Sequence, residues 1–220
     1  MNIIITGASR GIGYETAKIL SLNHNVISIS RFAEKNKISG VQSIDFDFEK
    51  GDIKNELLPK IKNYTSNVDV LINNAATLIK KPFEEISKHD FEKIFQINVL
   101  SIALLTQSIL SIMKSGHIIN IASMGGVQGS VKFNGLSAYS STKGALITLN
   151  ECLAEEYKDK NIRFNTIAFG SVQTKMLEEA FPGFRAPLTA ETAATFLADF
   201  AINGNKYFNG KTLQMALSTP

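Results

Sequence analysis

The segment Asn2-Ile-Ile-Ile-Thr6-Gly7-Ala-Ser9-Arg10-Gly11-Ile12-Gly13 determines the expected fold. Its apolar run ends at Thr6 and predicts a strand, and a segment with helical spacing begins at Ile12. Three glycines between them permit a tight turn and let the backbone approach a pyrophosphate closely. The N-terminus of the following helix offers free N–H groups and a partial positive charge. This context predicts a dinucleotide-binding loop, although glycine-rich turns are also common as plain connectors.

Apolar runs and helical segments continue to alternate along the rest of the chain. Most of the runs are continuously apolar, which is typical of parallel strands covered by helices on both faces. The predicted strands are Asn2–Thr6, Asn25–Ser30, Val41–Phe46, Val68–Ile72, His117–Ser123, Ile162–Ala168 and Thr212–Met215. The predicted helices are Ile12–Leu22, Ile53–Asn63, Asp90–Met113, Tyr139–Lys158 and Ala190–Ile202. This order predicts a Rossmann-type α/β fold, a doubly wound parallel sheet in three α/β/α layers, and one domain over residues 1–220.

Composition excludes several other classes of protein. The 220 residues are 44% hydrophobic and 20% charged, as expected of a globular chain that buries a full core. The single Cys152 cannot form an internal disulfide, and with three scattered histidines it provides no metal-ligand cluster, so we expect no metal site. The net charge of +3 comes without a run of Lys and Arg, so we expect no nucleic-acid partner.

The sequence also lacks the patterns of a signal peptide or membrane anchor. The N-terminal segment has no basic region before its short apolar run. The longest apolar stretch, Phe95 to Met113, is interrupted by polar residues, whereas a membrane-spanning helix needs about twenty predominantly apolar residues. We therefore expect a cytoplasmic protein with no membrane partner.

The segment Tyr139-Ser-Ser-Thr-Lys143 places a phenol and an ammonium group on one face of a predicted helix. A nearby cation favours the phenolate and lowers the pKa of a tyrosine from its usual value of about 10, which suits it for proton transfer. Spacing alone does not select this pair, because Tyr14–Lys18 and Tyr207–Lys211 share it. Tyr139 is selected by its place after the fifth predicted strand, at the edge where open α/β sheets bind ligands.

Two further polar residues are candidates for the same site. Ser123 ends the fifth predicted strand, where its hydroxyl can hydrogen-bond a substrate carbonyl and stabilise a developing alkoxide. Serine at a strand end is also common as a cap or turn residue. Asn98 is a polar residue in an apolar helix, and an interhelical hydrogen bond is the simpler interpretation of it.

The end of the second predicted strand bears on the choice of dinucleotide. An NAD site usually places an acidic residue about twenty positions beyond the glycines, and this strand ends instead in Arg31. Arg31 and Arg10 can pair with a 2′-phosphate, and Ser9 adds a hydroxyl donor. The alternatives are that Arg31 is merely solvated and that Glu34 supplies the acid. The pattern favours NADP(H) over NAD(H).

Several motifs together resemble the short-chain dehydrogenase/reductase family, in its single-domain 3-oxoacyl-reductase-like type. The glycine spacing matches, and Asn73-Asn74-Ala75-Ala76 is similar to the family's Asn-Asn-Ala-Gly. The segment Asn165–Thr174 is similar to the one after the family's sixth strand. The residues of its catalytic tetrad occur in order as Asn98, Ser123, Tyr139 and Lys143.

The resemblance implies a role for each matching residue. Tyr139 would exchange a proton with the substrate, Lys143 would bind ribose and lower the pKa of Tyr139, and Ser123 would orient the carbonyl. Asn98 would hold a water in a proton relay. Asp47 would contact adenine, Asn74 the ribose region, and Val172 and Thr174 the nicotinamide amide. The implied cofactor-binding set is Gly7, Ser9, Arg10, Gly11, Ile12, Gly13, Arg31, Asp47, Asn74, Tyr139, Lys143, Val172 and Thr174.

The chain also departs from the family pattern, and these differences bear on the substrate. Phe169 stands where the family usually has Pro, and Ala76 replaces the usual Gly. Residues 175–188 are few for the lid that normally covers the substrate. Aromatic and sulfur-containing side chains in these loops either line an apolar pocket or pack on the core. They are Phe133, Met176, Phe181 and Phe184.

We therefore predict an NADP-dependent oxidoreductase that interconverts a carbonyl and a secondary alcohol by hydride transfer. The substrate is expected to be a small or carrier-bound compound, such as a 3-oxoacyl thioester or a keto-sugar. The alternative is a non-catalytic dinucleotide sensor or scaffold, which would have little reason to keep all four tetrad residues. A sugar-nucleotide epimerase or dehydratase would need an added substrate domain. Apolar positions in helices Asp90–Met113 and Tyr139–Lys158 predict a homodimer or homotetramer.

Overall fold

The first strand occupies the centre of the molecule because both of its faces are apolar. In the computed structural model, which describes residues 1–217, Ile3, Ile4 and Ile5 are fully buried. Successive side chains of a strand point to opposite faces of the sheet. Ile3 and Ile5 accordingly join one apolar cluster, and Ile4 joins the other. Such a strand requires a helical layer on each face.

Within residues 1–217, seven strands form one parallel sheet in the order β3-β2-β1-β4-β5-β6-β9. They are β1 (Asn2–Thr6), β2 (Asn25–Ser30), β3 (Val41–Asp45), β4 (Val70–Asn73), β5 (Gly116–Ser123), β6 (Ile162–Phe169) and β9 (Thr212–Met215). Two short strands, β7 (Val172–Gln173) and β8 (Leu188–Thr189), pair separately. The direction of strand addition reverses between β1 and β4, which creates the crevice where α/β sheets bind ligands.

Helices cover both faces of this sheet. They are α1 (Gly11–Ser21), α2 (Leu58–Lys62, preceded by a π turn at Ile53–Leu57), α3 (Lys88–Phe95), α4 (Ser101–Leu110), α5 (Ser137–Glu156), α6 (Lys175–Ala180) and α7 (Ala190–Asn203). One apolar cluster contains residues of α1 and α7, and the other contains residues of α2, α4 and α5. The predicted Rossmann-type α/β/α architecture is confirmed.

Some predicted boundaries are wrong, and local hydrogen bonds explain the largest differences. The helix predicted from Asp90 begins at Lys88, because the Ser87 hydroxyl accepts from the Asp90 N–H and the Asp90 carboxylate accepts from the Ser87 N–H. That helix is also interrupted by a π turn at Gln96–Leu100 and ends at Leu110. Helix α5, which contains Tyr139, begins at Ser137, two residues before the predicted start. The last three residues of the predicted domain lie outside the described part.

The segment Lys88–Leu110 is long and apolar enough, by length and composition alone, to cross a membrane. In this structure it is part of a helical layer against the sheet. Leu105 and Ile109 of α4 lie in the apolar cluster beneath that layer, and Ile94 of α3 is also fully buried. This packing is that of a core helix.

Candidate active site

The glycine loop between β1 and α1 depends on backbone conformations and close contacts that only glycine allows. Gly7 and Gly11 have φ values of +69° and +61°, in the left-handed region. A Cβ on Gly7 would lie 2.8 Å from the Ala75 Cα atom, and one on Gly13 would lie 2.5 Å from the Asn74 Nδ2 atom. The loop is therefore packed directly on the segment that follows β4.

Hydrogen bonds across the switch point fix these two segments together. The Thr6 hydroxyl accepts from the backbone N–H groups of Asn74 (3.0 Å) and Ala75 (2.9 Å). The Asn74 Nδ2 group donates to the carbonyls of Thr6 (3.0 Å) and Gly7 (3.2 Å). Thr6 is not among the site residues predicted from the sequence. The only sequence feature that could have indicated it is its position at the end of an apolar strand.

The start of α1 is suited to an anionic group such as a dinucleotide pyrophosphate. The N-cap residue Arg10 makes no side-chain hydrogen bond to the first turn, and within Gly11–Ser21 the first turn holds no acidic residue. Its N–H groups and helix dipole are therefore available to a phosphate. A Cβ on Gly11 would lie 3.4 Å from the Thr174 Cγ2 atom, so the loop also faces the start of α6.

A cleft of about 1020 Å³ runs along the carboxyl ends of the strands and brings most of the predicted residues together. The predicted residues that line it are Gly7, Ser9, Arg10, Gly11, Ile12, Arg31, Asp47, Asn74, Ser123, Tyr139, Lys143, Val172 and Thr174. Gly13 lies beneath the loop against Asn74, and Asn98 is fully buried in the helical layer. The arrangement fits a dinucleotide with its reactive end at Tyr139.

Basic and hydroxyl groups surround the end of the cleft beyond β2. Ser9 and Arg10 line a second, smaller pocket with Lys35, Asn36 and Lys37. These last three residues were not identified from the sequence, because the segment after β2 shows no periodic pattern.

Glu34, the acidic residue that could oppose a 2′-phosphate, is paired elsewhere. Its carboxylate lies 2.8 Å from the Lys37 Nζ atom, and its backbone N–H donates to the Asp45 carboxylate. Arg31, in contrast, lines the main cleft. Arg10 is exposed, and its Nη1 atom lies 3.8 Å from the Glu179 carboxylate. Two guanidinium groups are thus placed at this end of the cleft.

Tyr139 and Ser123 form the polar centre of the cleft. Both side chains line the cleft, and the Ser123 hydroxyl accepts from the Gly125 N–H at 3.2 Å. Burial raises the pKa of Tyr139 to about 12, while the nearby Ser123 hydroxyl acts in the opposite direction. This differs from the expected lowering of the pKa by a neighbouring cation.

Lys143 explains part of this difference. Its ammonium donates to the Ile121 carbonyl at 2.7 Å and lies 5.6 Å from the centre of the Tyr139 ring. The side chain is almost completely buried, and burial lowers the pKa of Lys143 to about 8. At this distance the effect of burial on the Tyr139 phenol exceeds that of the cation.

Comparison with known proteins agrees with this geometry. The sequence model of the family described as short chain dehydrogenase matches residues 1–183. The chain belongs to the short-chain dehydrogenase/reductase family. Its fold is shared with a short chain dehydrogenase from Burkholderia cenocepacia J2315, solved in complex with NADP. That structure has a TM-score of 0.87 and 22% sequence identity, and the match covers 97% of this chain and 95% of the other.

Two relatives are more similar to this short-chain dehydrogenase in sequence. "Carbonyl reductase [NADPH] 2" of Sus scrofa is 30% identical over 186 residues, which cover 80% of this chain and 73% of the relative. The "3-oxoacyl-[acyl-carrier-protein] reductase" of Aquifex aeolicus is 31% identical over 187 residues, covering 79% and 74%. The protein is therefore an NAD(P)-dependent oxidoreductase of this family.

Asn98 of this short-chain dehydrogenase joins three parts of the site from inside the helical layer. Its Oδ1 atom accepts from the Thr77 N–H at 2.8 Å, and its Nδ2 group donates to the Thr77 carbonyl (2.9 Å) and the Thr142 hydroxyl (3.1 Å). The side chain thus connects the π turn to the segment after β4 and to α5. Both of its amide hydrogens are used within the chain, as in the interhelical interpretation.

The departure from the family pattern at Phe169 lengthens a strand. Because Phe, unlike Pro, fits the interior of a strand, β6 continues through Phe169, which pairs with Met215 of β9. The next N–H, that of Gly170, donates to the Met215 carbonyl at 2.9 Å. Phe169 is buried and lines the cleft of this short-chain dehydrogenase.

Proposed function

We propose that this oxidoreductase interconverts a carbonyl compound and a secondary alcohol, with Tyr139 as the general acid/base. The observation that carries the proposal is that Tyr139, Ser123 and Lys143 line the same cleft as the glycine loop. The bound nicotinamide cofactor supplies or accepts the hydride. During reduction, the Tyr139 hydroxyl donates its proton to the carbonyl oxygen, and during oxidation the proton returns.

The surrounding groups support these roles. With its pKa raised to about 12, the Tyr139 phenol is protonated at neutral pH, which is the form that donates in the reductive direction. With a pKa of about 8, Lys143 is mostly an ammonium at pH 7, and it stabilises the phenolate as the proton leaves. The Gly125 N–H holds the Ser123 oxygen, which leaves the Ser123 hydrogen to orient the substrate oxygen.

Replacing Tyr139 with Phe tests the proposed proton transfer. We expect Tyr139→Phe to lower kcat by about 100-fold or more, since general acid catalysis contributes that much, and to leave NADPH binding unchanged. Cofactor oxidation reports turnover, and NADPH fluorescence titration reports binding. Tyr207→Phe is the matched control, because Tyr207 also has Lys four residues later but is exposed outside the cleft.

The two readouts separate the alternatives. A near-normal kcat for Tyr139→Phe would overturn the assignment of Tyr139. Wild-type protein that binds NADPH but oxidises it with no member of a broad carbonyl panel would support the sensor or scaffold alternative.

We also propose that the enzyme prefers NADP(H) to NAD(H). Arg31, Arg10 and Ser9 line the cleft at the end where Asn36 adds a further polar group, and guanidinium groups pair well with phosphate. The Sus scrofa relative is named for NADPH, which supports the same choice.

Replacing Arg31 tests this preference. We expect Arg31→Ala to lower kcat/KM for NADPH by about 10-fold or more and to leave kcat/KM for NADH nearly unchanged, because a charge-assisted hydrogen bond to the 2′-phosphate is lost. Arg163→Ala is the control, because Arg163 lies at the amino-terminal end of β6, whereas the cleft lies at the carboxyl ends of the strands. An equal decrease in kcat/KM for NADPH and NADH would show that Arg31 does not recognise the 2′-phosphate.

We further infer a cytoplasmic homodimer or homotetramer. Phe95, Leu100 and Leu104 lie on one helical segment, and each is more than a third exposed. Such apolar positions on a helix surface are suited to contact with a second copy. Sedimentation velocity of the wild type and of Leu100→Glu tests this, and a monomeric wild type would contradict it.

A further inference from the structure

The end of the cleft that would receive the substrate has an apolar wall. We define this substrate end as the part between Tyr139 and α6. Its apolar lining side chains are Leu78, Phe133, Met176, Leu177, Phe181 and Phe184. Phe133 and Phe184 are 46% and 48% exposed, so a substrate could cover apolar surface on both. The four residues predicted for an apolar pocket all belong to this wall.

Acidic residues are confined to the other end of the cleft. Among the lining residues in the described part of the chain, the acidic ones are Asp47 and Glu49. Both follow β3, at the edge of the sheet that lies farthest from β6 and the loop after it. Recognition of sugar hydroxyls usually requires such polar acceptors near the reacting carbon. The substrate end supplies mainly apolar surface instead.

Lys80 holds the aromatic wall in place. Its ammonium donates to the Ala180 carbonyl at the end of α6 (2.9 Å) and lies 4.0 Å from the centre of the Phe181 ring. The Phe133 and Phe181 rings pack edge to face, with centres 6.3 Å apart. These contacts limit the positions that the Phe181 ring can take.

A third segment is attached at the same point. The Lys81 N–H donates to the Gly135 carbonyl at 3.0 Å, and a Cβ on Gly135 would lie 3.2 Å from the Lys80 side chain. The segment after β4, the loop before α5 and the end of α6 therefore meet at Lys80. Phe181 stands at this junction as a pre-formed surface rather than a side chain that must be ordered by the substrate.

We propose that the substrate carries an apolar ring or alkyl group beside its carbonyl, that this group packs on Phe181, and that Lys80 is a positioning residue for that ring. This inference rests on the proposed function and narrows its substrate class. It favours an apolar ketone over a keto-sugar.

A paired substrate test distinguishes failure of this inference from failure of the proposed function. With NADPH, we expect wild-type kcat/KM to be at least about 10-fold higher for 4-phenyl-2-butanone than for dihydroxyacetone, because the phenyl group fills the apolar end. Equal or better reduction of dihydroxyacetone would overturn the inference and leave the proposed function standing. Absence of reduction across a broad carbonyl panel would overturn both.

Variants of the wall identify the residues responsible. We expect Phe181→Ala to raise KM for 4-phenyl-2-butanone by about 10-fold or more, with acetone kinetics and the NADPH dissociation constant within about threefold of wild type. Lys80→Met should raise KM for 4-phenyl-2-butanone and leave kcat unchanged. Lys80→Arg retains the cation, so its KM should equal that of the wild type. Tyr207→Ala is the control for loss of an aromatic ring outside the cleft.

If Phe181→Ala lowered kcat/KM equally for 4-phenyl-2-butanone and for acetone, the substitution would have damaged the whole site, and the specific role of Phe181 would be overturned. An unchanged KM in Phe181→Ala would overturn it directly. If Lys80→Met alone leaves KM unchanged, the positioning role of Lys80 is wrong.

Discussion

At the scale of single residues, His117 shows how burial determines protonation. Its Nδ1 atom lies 3.2 Å from the Ala201 carbonyl oxygen, and its Nε2 atom lies 3.0 Å from the Asn165 Nδ2 atom. A carbonyl only accepts and an amide NH₂ only donates, so the ring is neutral with its hydrogen on Nδ1. Burial lowers the pKa of His117 to about 4.

The lowered pKa of His117 predicts that the folded protein loses stability in mild acid. In the unfolded chain His117 gains a proton near its usual pKa of about 6.5, whereas the folded protein gains it only near 4, so stability decreases as pH falls between these values. The effect is of order 3 kcal/mol by pH 4. Urea unfolding of wild type and His117→Leu at several pH values measures it.

The variant need not be as stable as the wild type, since only the slope with pH is compared. We expect a flatter slope for His117→Leu and the wild-type slope for the control His89→Leu, because His89 is exposed. Parallel slopes for wild type and His117→Leu would contradict the prediction.

The sequence identified Tyr139 by its position after a strand, but it could not predict the direction of the pKa shift. That direction depends on the burial of the Tyr139 phenol, which is set by tertiary packing. Thr6 and Lys80 were missed for the same reason. Each acts through a partner more than sixty positions away, and neither stands in a distinctive pattern.

At the scale of elements, the π turn at Gln96–Leu100 connects the helical layer to the site. Its Asn98 side chain satisfies two backbone groups of Thr77 and the Thr142 hydroxyl. Removing the amide takes away this partner of the Thr77 N–H and carbonyl, whereas the Thr142 hydroxyl still donates to the Tyr139 carbonyl. Each lost hydrogen bond of this kind costs about 1–3 kcal/mol.

We therefore expect Asn98→Ala to lower the free energy of unfolding by about 3 kcal/mol. Urea unfolding followed by circular dichroism measures the change. Asn161→Ala is the matched control, because Asn161 is exposed and no hydrogen bond of its side chain is among those described for residues 1–217. A change below about 1 kcal/mol in Asn98→Ala would show that water replaces the amide without loss.

The positions of the strands were largely predictable from the hydrophobic pattern. The bounds of β1 and β9 are as predicted, and those of the other five strands of the main sheet lie within about two residues of the prediction. Helix α6 and the π turns were not predictable in this way. Lys175–Ala180 has six residues and each π turn has five, too few to establish a period.

At the scale of the whole molecule, two apolar clusters lie on opposite faces of one sheet. They share its strands, since β1 contributes Ile3 and Ile5 to one cluster and Ile4 to the other. If one helical layer unfolded, it would expose the strands against which the other layer packs. The two clusters should therefore unfold together.

We expect a single unfolding transition, in agreement with the predicted single domain of residues 1–220. Because the sequence has no Trp, tyrosine fluorescence and far-ultraviolet circular dichroism are the suitable probes, and their urea midpoints should coincide. Separate midpoints would show that the chain contains independently folding parts.

The strand order also has a consequence for biosynthesis. The chain begins at the centre of the sheet with β1, builds β2 and β3 outward, and then returns to add β4 on the other side of β1. Chains emerge from the ribosome N-terminus first, and their early segments can fold before later ones are made. The glycine loop, Arg31 and Asp47 are therefore synthesised before Ser123 and Tyr139, so the end of the cleft near β2 and β3 is made before the end near Tyr139.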